Sequence, residues 1–228
     1  MATVGRMDRR PFFDALTDGA RCALIDRSRV RRYPKGSVVF AEGDDAHDVL
    51  IVRSGAVEVV TTALNGREVV LDVLHAGEVL GELSVIDAGP RSATVKTLEP
   101  TEVFAIRHQD FHMLLEDHAS IGAAILAALA VRLRNADRRQ LEFGSNDALG
   151  RVCHRIVDLS DRYGKPLPDG SVSIILPFSQ TDLANWAGLS REAVVKALRA
   201  LRSLGWIDSH GSSVTIINEP AIRFRADQ

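Results

Sequence analysis

Gly81 to Val95 reads GELSVIDAGPRSATV, and its residue types suit a phosphorylated sugar. Glycine lets a backbone approach a ligand closely. A helical turn beginning near Glu82 presents free N–H groups to an anion. Arg91 can fork onto a phosphate, and Ser92 adds an amide and a hydroxyl donor. Glu82 only accepts, which suits a sugar hydroxyl. An acceptor followed by a cation and donors is what a ribose-phosphate requires. A solvated surface turn carries the same residue types, so the surrounding elements decide between the two readings.

A second group of charges lies in SQTDLANWAGLSREAVVKALRALRSLGWI. Ser179 can cap a helix, with Asp182 favourably placed three residues on. That helix stops near Gly188, and Ser190 caps the next. Leu189 and Val194 bracket the cap as a hydrophobic staple. Gly205 suits a left-handed C-terminal cap. Two short helices joined by a tight glycine turn make a helix-turn-helix. Val194, Ala197, Leu198 and Leu201 are spaced to pack inward. Arg191, Glu192, Lys196, Arg199 and Arg202 then face outward. Arg191 can fork onto guanine O6/N7, Glu192 can accept from a cytosine amine, and Lys196 can donate to guanine or thymine. Gln180, Thr181 and Arg199 suit phosphates, as does Ser190 at the start of the second helix.

These residues need elements to hold them. Pro11 to Arg27 reads as one or two short helices. From there to about Arg107, short β-branched runs alternate with Gly36, Gly43, Gly55, Gly66 and Gly77, the pattern of a rolled antiparallel sheet. Asn65-Gly66 favours a type I′ hairpin turn. Such a roll can hold one small ligand, with Val39, Leu71, Val73 and Leu83 as apolar candidates for its lining. Ser120 to about Phe143 is helical. Leu126, Leu129, Leu133, Ala136, Gln140 and Phe143 follow a heptad seam. A helix of that length, about 36 Å, cannot bury such a stripe on a small roll alone. The economical partner is a second copy, which predicts a homodimer; a helix buried within its own chain is the alternative. Gly144-Ser145-Asn146-Asp147 reads as a hinge. Trp206-Ile207 and Val214 to Ile217 read as a wing hairpin.

Whole-chain properties narrow the function. The net charge is −2 over 228 residues, so any nucleic-acid contact must come from a local patch. Two cysteines far apart, Cys22 and Cys153, argue against an iron–sulfur cluster, which needs about four ligands. His108 and His112 share a helix face but lack a third ligand at a persuasive spacing. No nucleophile–base pair, metal motif or Walker loop argues for an enzyme. The amino terminus lacks an apolar leader core. The apolar run Ile121 to Val131 is too short to span a bilayer. The expectation is a cytoplasmic protein with no membrane partner, no metal and no catalytic residues.

GELSVIDAGPRSATV resembles the phosphate-binding cassette of cyclic-nucleotide-binding domains. PKGSVVFAEGDDAHDVLIVRSGAVEV resembles the first half of their β-roll. Q-x-D-L-A-x-x-x-G-x-S-R-E-x-V-x-K-x-L resembles the winged helix-turn-helix of the Crp/Fnr transcription regulators, in the branch of the cAMP receptor proteins. The resemblance covers nearly the whole chain. It implies an α+β protein: a cyclic-nucleotide-binding β-roll over 1–119, a dimerisation helix and hinge over 120–144, and a winged helix-turn-helix over 145–228. It implies cyclic nucleotide at Gly81, Glu82, Leu83, Arg91 and Ser92, double-stranded DNA at the helix-turn-helix, and RNA polymerase as a further partner. In cAMP-binding relatives a hydroxyl-bearing pair on the long helix reads the adenine. Ala136 and Asp137 stand there in this chain, and Asp137 can accept from adenine's amine or from the paired donors of guanine. cAMP is the ligand expected first, with cGMP, another ligand or none as alternatives. A nucleotide sensor acting on a protein partner is the alternative of a different class.

Overall fold

The computed structural model describes residues 11–63, 66, 68–145, 147–175, 179–210 and 213–226. The chain divides into two compact units: Met1–Val59 with Val73–Arg134, and Val60–Asp72 with Asn135–Gln228.

The first unit opens with a 3-10 turn, Phe12–Ala15, and helix α1, Asp18–Asp26, capped by Thr17. Along the chain strands follow: β1 Arg29–Tyr33, β2 Val38–Phe40, β3 Asp48–Ser54, β4 Ala56–Thr62, β5 Glu68–His75 and β6 Val79–Leu80, of which the part from Val60 to Asp72 falls in the second unit. Helix α2 is a short Glu82–Ile86. Strands β7 Thr94–Thr97 and β8 Thr101–Arg107 precede helices α3 His108–Asp117 and α4 Ala119–Ser145. One sheet has the order β1-β8-β3-β6, the other β2-β7-β4-β5. Gly66 takes a φ of +77°, which suits a tight turn, but its partner Asn65 lies outside the described residues, and so does the proposed hairpin type.

Strand β3 explains the layering. Its residues Asp48 to Val52 are all buried, and successive side chains of a strand point to opposite faces. Leu50 and Val52 join Leu74, Leu80, Val95 and Val103 in one core. Val49 and Ile51 join Leu24, Phe111, Leu114, Ile121 and Ile125 in the other, against the helices. The strand is thus apolar on both faces, as a central strand covered on both sides must be. Val73 is also buried, while Val39 is half-buried and packs against the first of these two cores.

Helix α4 continues through Gly144 to Ser145, past the expected break. Helix α5, Ala148–Tyr163, starts afresh with Asp147 as its cap. On α4, Leu126 and Leu133 are 69% and 64% exposed; the side chains of Gln140 and Phe143 lie outside the described residues. The run Ile121 to Val131 is short, but the longer stretch Ala119–Asp137 is, by length and composition alone, apolar enough to cross a membrane. Arg132, inside that stretch, is engaged in polar contacts within the first unit.

The second unit continues with β9 Lys165–Pro166, β10 Val172–Ile175, α6 Gln180–Ala187, α7 Arg191–Ser203, β11 Ile207–His210, β12 Ser213–Ile216 and α8 Glu219–Ala226. Its sheet has the order β11-β12-β10-β9. The wing tip, 211–212, lies outside the described residues.

Candidate functional site

The cassette is built by a sharp change of direction at the end of β6. Gly81 adopts φ +76° and ψ 11° at the start of α2, a region that favours glycine. A Cβ there would stand 2.2 Å from Arg91 Nη1. Glycine is therefore required twice, for its dihedral and for the arginine beside it. After α2 the chain turns through Asp87, whose side chain accepts from Gly89 N at 3.0 Å. Ser84 Oγ donates to Pro90 O at 3.0 Å and closes the turn onto the helix. Arg91 N donates to Asp44 O at 2.9 Å, and Gly43 N donates back to Arg91 O at 2.8 Å. The arginine is thus fixed by its backbone to the loop after β2.

Arg91 is only 3% exposed. Its Nη2 donates to Asp48 Oδ1 at 2.7 Å and to Asp48 O at 2.8 Å, and its Nη1 donates to Gly81 O at 3.0 Å. The guanidinium lies over the Phe40 ring, 4.2 Å from its centre, a favourable cation–aromatic distance. Its Nε is buried and has no hydrogen-bond partner. Burial pulls the Arg91 pKa below the ordinary guanidinium range, and Asp48, then Glu82 and Asp44, oppose that shift. Asp48 is shared, because Arg31 Nη1 approaches its Oδ2 to 2.6 Å.

Glu82 is 2% exposed. Its carboxylate accepts from Arg132 Nη1 of α4, and Arg132 Nη2 also donates to the Val79 carbonyl. A buried carboxylate demands such a partner. The structure therefore brings Gly81, Glu82 and Arg91 together and adds Asp48 and Arg132, which sequence reasoning did not place in the site. A hint existed for each. Asp48 heads a strand whose next four residues are apolar, and Arg132 interrupts the apolar run of α4. Leu83, by contrast, is 42% exposed, and Ser92 is also at the surface. Ala136 and Asp137 are exposed on α4 and belong to the second unit.

His108 and His112 are partly or fully exposed, with their Nε2 atoms 2.8 Å apart. Among the described residues no group of three or more His, Cys, Asp or Glu can hold a metal.

In the second unit, Ser179 and Asp182 form a reciprocal capping box at the start of α6. Gly188 turns the chain in the left-handed region, and Ser190 Oγ accepts from Ala193 N at 3.2 Å to start α7. Leu189, Val194, Ala197, Leu198 and Leu201 are buried. Gln180, Thr181, Ser190, Arg191, Glu192, Lys196 and Arg199 are all exposed. The Glu192 backbone amide and the Ser190 side chain hold the Glu192 carboxyl below its ordinary range, so it stands ionised as an acceptor. One helix thus offers cations and one acceptor along a solvent face, the arrangement that reads base edges in a major groove.

Known proteins share both halves. Residues 30–118 match the cyclic nucleotide-binding domain, and residues 150–224 match the Crp-like helix-turn-helix domain. The CRP-like cAMP-activated global transcriptional regulator of Mycobacterium tuberculosis is 30% identical over 218 residues, covering 96% of this chain and 97% of its own. The cyclic AMP receptor protein of Thermus thermophilus is 32% identical over 199 residues, covering 87% of this chain and 88% of its own. Among solved structures, the c-di-GMP responsive global regulator CLP of Xanthomonas campestris has a TM-score of 0.77 at 27% identity, covering 88% of this chain and 99% of its own. With a nucleotide-binding roll followed by a Crp-like helix-turn-helix, the chain belongs to the Crp/Fnr family of non-enzymatic, DNA-binding transcription regulators.

Proposed function

We propose that this regulator binds a cyclic nucleotide in its β-roll, cAMP first, and reads a palindromic DNA site as a homodimer. The observation that carries the ligand half is Arg91. It is a guanidinium 3% exposed, in a glycine-led cassette, with a buried Nε–H that no protein atom accepts. A phosphate oxygen satisfies that donor. Gly81 gives the close approach, Glu82 is the acceptor for a ribose hydroxyl, and Ser92 adds donors at the exposed side; Leu83 is the outermost contact. The named cAMP receptors among the relatives favour cAMP.

In this reading 1–119 senses, 120–144 dimerises and 145–228 reads DNA. Exposed Leu126 and Leu133 on α4 form a stripe that a second copy would cover. Arg191, Glu192 and Lys196 contact bases, while Gln180, Thr181, Ser190 and Arg199 position the duplex. Two recognition helices one duplex turn apart imply a palindrome. RNA polymerase is the downstream partner. Ligand acts by favouring one arrangement of the dimer over the other.

A cGMP response is the second reading. It rests on Asp137, an exposed carboxylate at the base-reading position with Ala136 beside it. Calorimetry with cAMP and cGMP side by side tests both. Heat with cAMP alone supports the first, preference for cGMP supports the second, and heat with neither overturns the ligand assignment.

A further inference from the structure

A guanidinium can grip a phosphate through two parallel N–H pairs, Nε with Nη2 or Nη1 with Nη2. Both pairs use a hydrogen of Nη2. In this protein Nη2 of Arg91 is engaged twice by a single residue. Asp48 accepts from it with its carboxylate at 2.7 Å and with its carbonyl at 2.8 Å. Neither fork of Arg91 is therefore complete while Asp48 keeps its place. Nε remains open, so the site is half prepared.

We infer that Asp48 is an internal anion that competes with the ligand's phosphate for Arg91 and so sets the affinity and selectivity of the site. The inference rests on the cyclic-nucleotide reading of the cassette. An arriving phosphate displaces Asp48 Oδ1 from Nη2 and completes the fork with Nε. The displaced carboxylate is not stranded. Its other oxygen already faces Arg31 Nη1 at 2.6 Å, and that side chain is 49% exposed and able to follow it. Arg31 thus holds the carboxylate in its second position. Without a ligand, Asp48 compensates a buried cation that would otherwise be costly. With one, a like charge stays beside the phosphate and penalises every anion that cannot also engage Glu82 and the apolar lining. A bare phosphate is rejected, and a nucleotide must recover the cost through its sugar and base.

Opposite charge changes at Asp48 and Arg31 test this. Asp48→Asn keeps the shape and removes the charge. It is expected to bind cAMP at least about tenfold more tightly, the lower range for a hydrogen bond to a charged group. Arg31→Gln leaves Asp48 on Arg91 alone and is expected to weaken binding several-fold. Since Arg31 is half-exposed, this second variant keeps the test open if the first fails to fold. Equal cAMP affinities across wild type and both variants overturn the inference while leaving the nucleotide reading intact. If no protein binds cAMP or cGMP, the same set is heated with and without inorganic phosphate. Phosphate stabilisation appearing in Asp48→Asn, absent in wild type, and lost on adding Arg91→Leu sustains the competition and overturns the nucleotide reading. No phosphate response in any variant overturns both.

Discussion

Arg132 and Glu82, fifty residues apart in sequence, form an ion pair in which the long helix reaches the acidic residue of the cassette. The same guanidinium donates to the Val79 carbonyl at the end of β6. The helix and the cassette are thereby joined at the residue assigned to the sugar hydroxyl. A ligand that draws on Glu82 must negotiate with Arg132, and this gives α4 a direct chemical stake in occupancy.

Replacing Arg132 by Met leaves the Glu82 carboxylate buried without its cation. The first unit should lose about 3 kcal/mol, the low end for breaking a buried pair, because the Arg132 side chain is 23% exposed. Urea unfolding measures this. Adding Glu82→Gln should restore a large part of the loss, and strict additivity of the two changes would contradict the pairing.

Gly81→Ala forces a side chain into the left-handed region and against Arg91 Nη1. The backbone alone costs about 1–2 kcal/mol. Displacement of Arg91 should also lower nucleotide affinity more than tenfold. Thermal unfolding and calorimetry on one preparation check both effects.

Arg191→Ala should cost roughly 1–3 kcal/mol on the matching DNA site and little on unrelated DNA. Arg199→Ala should weaken both to a similar degree and reduce the salt slope by about one. Fluorescence anisotropy over a salt series separates the two roles. A footprint unchanged by Arg191→Ala would remove it from base reading.

Asp147 caps α5, accepting from Gly150 N at 2.8 Å, and it also accepts from Arg225 Nη2 at 2.6 Å. The Gly150 amide, followed by Arg225, lowers its carboxyl below the ordinary range. Such a group stabilises the fold fully above its unfolded pKa, and the stabilisation is lost as pH falls through the lower folded value. Asp147→Ala should cost about 1 kcal/mol at neutral pH. The difference from wild type should vanish in acid, which melting curves across the pH range will follow.

Local chemistry was legible in the sequence because it depends on neighbours. The caps at Ser179 and Ser190, the glycine turn at Gly188 and the inward row of Val194, Ala197, Leu198 and Leu201 follow from spacing alone. The alternating apolar strands indicated a rolled sheet for the same reason. The cassette's residue types pointed to Gly81, Glu82 and Arg91. What those side chains touch was decided only by tertiary structure. Asp48 lies 43 residues from Arg91 and Arg132 lies 50 from Glu82, and no periodic pattern links either pair. Burial selected these partners. A charge removed from water must find an opposite charge wherever the fold brings one. Leu83 shows the same limit: its place in the motif suggested a contact, and only the fold shows that its side chain stands at the outer, exposed side of the short helix. The sequence by itself determined most of the elements that form and a run of residue types that suits a phosphate. The three-dimensional packing decided that the cassette's arginine already holds a carboxylate, because only closure of the roll sets the head of β3 against the end of the cassette.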